Sequence, residues 1–420
     1  MKKLLEKNFY LIGVVSTLGA LMIKIGNSQI AIINILLLLT IIIQILNSNL
    51  TMYKYKWPLF IFALVFILST GNAAYILDVA WLNESIKFTI KFIIFLCPFV
   101  IIFSDKELLE YRKCFFRGLF ISCMIQLIWE FLQITIWSKF NISINKVIFG
   151  DILNIQIKNS WTFISDGRFR PSGVSWEPAN LALSLIIGFV LSKNIYFKML
   201  FFIGIVLSTS RTGIIVLMII ILCDKIMKKR NNIRLLFSIK DLIILIMFLL
   251  VFIVIGYYSI NNTREIFNYV SNGIRVTYKK IANIAVDSSA LTHIQYYEKI
   301  ITILKNGSLS NALFGYGTSA AGFPYSKFLG IYTSKTGWNP ESDFITLLFG
   351  NGFVGLITYY IIIFRALKYN KKNKEYSLII ISVLVSGIMY LYIRGSWTIF
   401  IIFMLFVKNK ENDTEDIKKH

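Results

Sequence analysis

The amino-acid sequence predicts an all-α fold: a polytopic membrane bundle of about twelve transmembrane helices with two long outer loops. Two observations support this fold class. Of the 420 residues, 56% are hydrophobic and only 16% are charged, whereas soluble domains average about 45–50% and about 25%. The apolar residues also form runs whose length is close to the roughly 20 residues that a helix needs to cross a bilayer. A soluble enzyme, a disordered chain and a disulfide-rich secreted module are therefore excluded.

The basic residues predict the orientation of this bundle. The chain has 44 Lys and Arg against 22 Asp and Glu, a net charge of +22. In a soluble protein this excess would suggest nucleic acid. Here most of it lies between apolar runs, where lysine and arginine mark the cytoplasmic side. We expect both termini in the cytoplasm, a retained signal anchor that begins near Phe9, and no nucleic-acid partner.

The apolar runs define the predicted spans and domains. The spans cover roughly 8–23, 28–46, 57–76, 86–103, 115–137, 179–193, 195–209, 211–227, 239–260, 342–364, 376–393 and 396–407. The segments that follow are 1–137 (five spans), 138–178 (first outer loop), 179–260 (four spans), 261–341 (second outer loop), 342–407 (three spans) and 408–420 (cytoplasmic tail).

Both outer loops are predicted to fold. They are rich in aromatic and aliphatic residues, which argues against disorder. In the second loop, apolar residues recur at helical spacing from Ile294 to Leu304, and Gly307 is a helix stop signal. We expect a partly helical cap over the outer mouth of the bundle.

A first polar cluster closes the first outer loop. It contains Arg168, Arg170, Trp176 and Glu177. Pro178 is suited to the first position of the next helix, where Glu177 would lie at the positive helix end. Two arginines and a carboxylate would then meet at the outer membrane surface. The alternative is a structural loop with a weak surface ion pair.

A second cluster, which includes Ser210 and Arg211, joins two spans by a very short connection. An arginine at this depth is costly unless it snorkels, pairs or binds an anion. Its planar guanidinium suits phosphate. The alternative is a snorkelled residue that only marks topology.

A third cluster ends the second outer loop. Glu341 and Asp343 stand at the start of a predicted helix, where capping alone could explain one of them. Two carboxylates are too few ligands to specify a cation, so no metal site is predicted. His293 lies earlier in the same loop, where a single histidine is most often solvated or packed.

Three polar residues lie inside the fifth span. Gln126, Glu130 and Gln133 share one helical face. An intramembrane acid should face the bundle interior or a wet cavity. The alternatives for this face are hydrogen bonding between helices and a role in a transport or reaction pathway.

Four short motifs together carry a family resemblance. They are Arg170-Pro171-Ser172-Gly173 through Glu177-Pro178-Ala179, Ser210-Arg211-Thr212-Gly213, Leu313-Phe314-Gly315-Tyr316-Gly317, and the stretch from Glu341 to Gly355. In order and topology the chain resembles the O-antigen polymerase and O-antigen ligase superfamily of bacterial envelopes. These are inner-membrane glycosyltransferases that use polyprenyl-diphosphate-linked sugars. Where the ligase pattern has His-Asn, this chain has Glu341 and Ser342, and it has His293 where many relatives carry arginine. Both departures favour a polymerase over a ligase.

The resemblance implies an enzyme that joins undecaprenyl-diphosphate-linked oligosaccharide repeat units into O-antigen, capsule or exopolysaccharide at the outer face of the cytoplasmic membrane. It implies metal-independent, inverting transfer without a cofactor. We expect the following roles: Glu341, or Glu177, as general base; Arg168, Arg170, Ser210 and Arg211 at the diphosphate, with Arg211 catalytic; and Trp176, His293 and Asp343 at the acceptor.

The expected partners come from the composition and the resemblance, and the twelve spans with Glu130 and the basic residues leave a transporter open as a competing function. Membrane lipid surrounds the protein, and envelope polymerases often work with a flippase and a chain-length regulator. The alternatives are ligase-type transfer to an acceptor, a polysaccharide flippase or transporter, and a non-catalytic scaffold. Transporters place polar groups near the midplane and often show internal repeats, whereas the polar residues here gather at one face.

Overall fold

The computed structural model describes residues 2–25, 28–46, 56–97, 103–155, 161–165, 168–229, 295–330, 339–393 and 395–407. Within these ranges the chain is mostly helical. The α-helices are α1 (Lys2–Ser16), α2 (Ile32–Ile45), α3 (Trp57–Ala73), α4 (Val79–Cys97), α5 (Asp105–Phe140), α6 (Pro178–Leu191), α7 (Ile195–Leu207), α8 (Arg211–Lys229), α9 (Ile300–Asn306), α10 (Leu309–Phe314), α11 (Phe323–Leu329), α12 (Asp343–Tyr369), α13 (Lys374–Met389) and α14 (Ser396–Leu405). A π-helix covers Lys146–Ile152.

Two short antiparallel hairpins interrupt the helices. Strand β1 (Met22–Ile25) pairs with β2 (Ser28–Ala31), with Met22 opposite Ala31. Strand β3 (Ile164–Ser165) pairs with β4 (Arg168–Phe169). The described residues remain consistent with the predicted all-α class, to which these short hairpins add a minor part. The first hairpin corrects the predicted limits of the first two spans, because α2 begins at Ile32 and α1 ends at Ser16. The next residue, Thr17, accepts a hydrogen bond on its backbone oxygen from Gln126 Nε2 (2.6 Å) instead of continuing the helix.

Two helices among the described residues, α5 and α12, are long and apolar enough to cross a membrane. Shorter apolar helices are α2, α3, α6 and α7. With 36 residues, α5 is about 54 Å long at 1.5 Å per residue. This exceeds the roughly 30 Å of a hydrocarbon core, so α5 would extend beyond the lipid.

A helix overlaps every predicted span that falls in the described ranges, whereas the predicted span 239–260 lies outside them. The total of twelve crossings stays a prediction. The start of the fifth span needs correction, since α5 begins at Asp105 and not at residue 115. Ser104 and Glu107 explain the earlier start: Glu107 Oε2 accepts from the Ser104 backbone N–H (2.9 Å), and Ser104 Oγ accepts from that of Glu107 (3.4 Å). This is a capping box.

The chain forms two compact units. The first contains residues 1–12, 33–117 and 288–420. In it, α12 packs against α3, α10 and α13, and α3 packs against α4. Phe66 and Phe92 stack between α3 and α4 with ring centroids 3.9 Å apart. The helix predicted from the pattern Ile294 to Leu304 is confirmed from Ile300 onward as α9, which ends at the predicted stop, the C-cap Gly307; Ile294 lies outside the described residues.

The second unit contains residues 13–32 and 118–287. Its described core is α6 packed on α7 and α8. Glycines permit the close approach of these helices. A Cβ at Gly188 in α6 would lie 2.5 Å from the Phe201 ring of α7, and one at Gly213 in α8 would lie 2.5 Å from the Ala182 Cβ of α6. The glycine of the Ser-Arg-Thr-Gly motif is therefore required for helix packing.

Candidate active site

The first polar cluster begins on the β3–β4 hairpin. Arg168 pairs with Ser165 in this hairpin, and Phe169 stacks on Trp137 of α5, with ring centroids 4.6 Å apart. Beyond the strand, the Arg170 backbone N–H donates to the Phe163 carbonyl (2.7 Å). The backbone that carries Arg170 is thus anchored by the hairpin that precedes it.

Arg170 connects the first two clusters. Its Nε donates to Thr209 Oγ1 at 3.1 Å. Thr209 lies between α7 and α8 with φ +53°, a left-handed conformation that is uncommon for threonine. Residues 170 and 211, which are separate motifs in the sequence, therefore belong to adjoining segments of one unit.

The turn at Thr209 determines where α8 begins. Ser208 Oγ accepts from the Ser210 N–H (3.3 Å), and Ser210 Oγ accepts from the Gly213 N–H (3.2 Å). Ser210 therefore acts as the N-cap, and Arg211 is the first residue of α8. A helix N-terminus carries partial positive charge. A half-buried arginine added at this end favours a bound anion there.

Trp176 and Glu177 precede α6 in the same unit. Pro178 is at the first turn, as predicted, and the half-buried Glu177 is the N-cap residue, with an extended backbone and without a side-chain capping bond. Trp176 is 44% exposed. Its Nε1 donates to the Gly19 carbonyl (2.6 Å), which fixes the indole while part of its surface remains accessible.

The third cluster lies at the start of α12 in the other unit. Ser342 is the N-cap, and its Oγ accepts from the Ile345 N–H (3.4 Å) and hydrogen-bonds Tyr297 Oη (2.8 Å). Glu341 is exposed. Asp343 is 3% exposed, and its Oδ1 accepts from the backbone N–H groups of Tyr392 (2.6 Å) and Ile393 (2.7 Å). The two carboxylates that the sequence groups together thus have different surroundings.

The Phe-Gly-Tyr-Gly motif pairs with a break in α12. Gly352 inside this helix has φ +70° and ψ −175°. Ahead of this break, the Phe349 carbonyl accepts from the Tyr316 N–H (2.7 Å), and the Gly350 carbonyl accepts from the Gly317 N–H (3.2 Å). The motif therefore satisfies helix carbonyls that the kink releases.

Two predicted site residues lie wholly or partly outside the residues that the structure describes. His293 lies outside the described residues, and only the backbone of Arg168 is described. Within the described ranges, no group of three or more His, Cys, Asp or Glu side chains could hold a metal ion. Thr209, the partner of Arg170, was not predicted as a site residue.

These features define a largely helical protein with membrane-length apolar helices and an arginine-bearing turn at the start of one helix. Residues 196–360 match the family model described as O-antigen ligase. The predicted resemblance is confirmed over this segment, which includes the Ser210–Gly213, Leu313–Gly317 and Glu341–Gly355 motifs. The family comprises membrane-embedded, glycosyltransferase-like enzymes, O-antigen ligases and related polymerases, that act on lipid-linked oligosaccharides. Comparison of the chain with curated proteins gave no match.

Proposed function

We propose that this protein polymerises undecaprenyl-diphosphate-linked oligosaccharide repeat units into a surface polysaccharide at the outer face of the cytoplasmic membrane. The observation that carries the proposal is the hydrogen bond from Arg170 Nε to Thr209 Oγ1 (3.1 Å). It joins the Arg170 loop to the turn that contains Ser210 and Arg211. Two guanidinium groups beside a helix N-terminus are suited to a diphosphate, which offers several anionic oxygens to the guanidinium forks.

The proposed reaction needs no nucleotide, because the sugar–diphosphate bond is already activated. A hydroxyl of the incoming lipid-linked unit attacks the anomeric carbon of the donor glycan. The new bond joins this oxygen to the anomeric carbon, and the bond from that carbon to the diphosphate breaks. The hydroxyl proton passes to a carboxylate, and the electron pair leaves on the diphosphate. Arg170 and Arg211 stabilise the negative charge of the leaving diphosphate. Because the reaction is a single displacement, the configuration of the anomeric carbon is inverted.

The general base is proposed to be Glu341, with Glu177 as the alternative. Exposure of Glu341 next to the α12 N-cap is compatible with contact to a substrate hydroxyl. Glu177 is half-buried at the start of α6. Trp176 supports an acceptor or donor sugar in this proposal, since its indole N–H is already bound to Gly19 and its ring is 44% exposed.

Ligase-type transfer is the second candidate, because the matched family model is described as O-antigen ligase. The polymerase is preferred since Glu341 and Ser342 replace the His-Asn pair of the ligase pattern. Deleting the gene distinguishes the two. Loss of a polymerase leaves single repeat units on the lipid carrier, whereas loss of a ligase leaves long polymer on that carrier. Electrophoresis of the lipid-linked and surface fractions separates these outcomes.

A purified-protein assay tests the enzyme class. Lipid-linked repeat units extracted from the deletion strain are mixed with the protein in detergent, where no compartment exists, and chain length is measured by gel and mass spectrometry. Only an enzyme can elongate the glycan in this assay. With a flippase or a scaffold, the chain length of the lipid-linked glycan stays unchanged.

The same assay tests the arginine pair. Replacing Arg211 with Lys removes the bidentate fork but keeps the charge, so we expect activity to fall about 10²- to 10³-fold, as for loss of a transition-state donor. The matched control is Arg365→Lys, since the Arg365 guanidinium lies over the Trp57 ring (4.9 Å) in the other unit. Polymer of normal length and rate from Arg211→Lys would refute the diphosphate role.

A further inference from the structure

Helix α5 holds the loop that follows Arg170 by amide side chains. Gln133 Oε1 accepts from the backbone N–H groups of Ser172 (3.1 Å) and Gly173 (2.8 Å). Gln133 is only 1% exposed. A single side-chain oxygen thus satisfies two consecutive backbone donors of the Arg-Pro-Ser-Gly motif.

A second glutamine continues the contact two helical turns earlier. Gln126 Oε1 accepts from the Val174 N–H (2.7 Å), and its Nε2 donates to the Thr17 carbonyl (2.6 Å). Residues seven apart lie on the same helical face. The shared face of Gln126 and Gln133 is therefore used to bind backbone.

Asn145 also binds the backbone of this loop. Its Nδ2 donates to the Gly173 carbonyl (2.8 Å) and to Ser172 Oγ (3.1 Å). Trp129 Nε1 donates to Asn145 Oδ1 (2.8 Å) and fixes the amide orientation. We call Gln126, Gln133 and Asn145 the amide clamp. It binds three successive N–H groups, at residues 172 to 174, and the carbonyl of Gly173.

The loop backbone lies so close to the amide clamp that residue 173 has to be glycine. Gly173 has φ +62°, and a Cβ there would overlap Gln126 Oε1. Pro171, whose φ is locked by its ring, stands between the clamped residues and Arg170. Holding Ser172 to Val174 therefore also restricts the backbone that carries Arg170.

We propose that the amide clamp positions Arg170 for the diphosphate, an inference that rests on the proposed function. Gln126, Gln133 and Asn145 are positioning residues that act through the loop backbone. Buried amide groups are costly in a membrane-length helix unless they are hydrogen-bonded. Their concentration on the segment next to Arg170 makes arginine placement the function that the geometry supports best.

Gln133 provides the sharpest test. Gln133→Leu removes the acceptor for two N–H groups. In its neutral, protonated form Gln133→Glu keeps an acceptor oxygen at the same length, and a carboxyl O–H replaces Nε2, which has no hydrogen-bond partner among the described residues. Thr135→Val is the matched control, because Thr135 Oγ1 bonds only the Phe131 carbonyl of its own helix (2.8 Å) in the described contacts. If Gln133→Leu does not fold, Gln133→Asn shortens the same arm by one carbon.

Two readouts are needed. Amide hydrogen exchange of peptides covering residues 170–176 measures, without any substrate, how firmly the amide clamp holds the backbone of this loop. Elongation kinetics with extracted lipid-linked repeat units report whether Arg170 is correctly placed for catalysis. For Gln133→Leu we expect faster exchange in this segment and a fall in kcat/KM of about 10-fold to 100-fold, as misplacement by about 1 Å produces. Gln133→Glu should restore both readouts at a pH that keeps its carboxyl protonated, and Thr135→Val should change neither.

The outcomes separate this inference from the proposed function. Unchanged exchange in Gln133→Leu overturns the clamp. Faster exchange with unchanged kcat/KM overturns the positioning role. A wild-type protein that elongates no lipid-linked donor refutes the proposed function and with it the role assigned to Arg170, whereas the exchange measurement still decides whether the clamp holds the loop.

Discussion

The break in α12 permits a prediction that can be worked out from backbone geometry. Gly352 has φ +70° and ψ −175°, a region that is nearly restricted to glycine and costs other residues about 1–3 kcal/mol. A Cβ at this position would also overlap the carbonyl of Leu313. Backbone atoms of α10 cannot rotate away as a side chain can. We expect the overlap to add about 1–3 kcal/mol.

Gly352→Ala should therefore lower the free energy of unfolding by about 2–6 kcal/mol, which reaches the upper range for point substitutions. Moving the segments apart would relieve the overlap but would weaken the bonds from Tyr316 N–H to Phe349 (2.7 Å) and from Gly317 N–H to Gly350 (3.2 Å). Each is worth about 1 kcal/mol. Relaxation thus recovers little of the lost stability.

Two other glycines of the same unit provide graded controls. Gly330 also has positive φ, +63°, but no atom of the described residues, its chain neighbours aside, lies within 4 Å of the position that a Cβ would take, so Gly330→Ala should cost only about 1 kcal/mol. Gly71 is helical with open surroundings, and Gly71→Ala should stabilise α3 by about 0.5–1 kcal/mol. Thermal unfolding in mild detergent, followed by tryptophan fluorescence and size exclusion, gives the order. Equal midpoints for Gly352→Ala and Gly330→Ala would refute the argument.

Two further predictions concern buried ionisable side chains. Burial lowers the pKa of Lys56 to about 8, against a smaller opposing effect of Glu107. The unfolded chain then binds more protons between pH 8 and 10.5, so stability should rise with pH there by on the order of 3 kcal/mol. Lys56→Met should lack this rise in Tm. Neither carboxyl oxygen of Glu130 has a hydrogen-bond partner in the described part of the chain. Glu130→Gln should therefore leave stability and elongation unchanged, and lost elongation at normal stability would instead indicate a pathway role.

Helix positions could be predicted because apolar run length is a local property of the sequence. Their ends were less predictable. Hydropathy places the start of α5 too late, because the apolar run begins only after the charged residues, whereas helical backbone hydrogen bonding continues through them. Ser104 and Glu107 carried a local signal, the capping-box spacing. The β1–β2 hairpin also had one, because Gly26 and Asn27 alone separate the strands, which is typical of two-residue hairpins.

The contacts that build the arginine site could not be predicted in the same way. Arg170 and Thr209 are 39 residues apart, and Gln126 and Val174 are 48 apart. Helical periodicity indicated that Gln126 and Gln133 share a face, but not that this face binds a loop backbone. Such pairs depend on tertiary packing, for which a single sequence carries no distance information.

The pair formed by Glu341 and Asp343 shows why residue type at a helix start is insufficient to assign a role. Ser342 between them is the N-cap, with an extended backbone of φ −158° and ψ 131°, so Glu341 precedes α12 and Asp343 is its first residue. Asp343 turns inward to the N–H groups of Tyr392 and Ile393, whereas Glu341 is exposed. Removing the Asp343 carboxylate would leave two buried donors unsatisfied, so lost activity in such a variant reports substrate binding only if stability is unchanged. Glu341 is exposed, and Glu341→Gln keeps the length of the side chain while removing the carboxylate, so this substitution is the direct test of the general base.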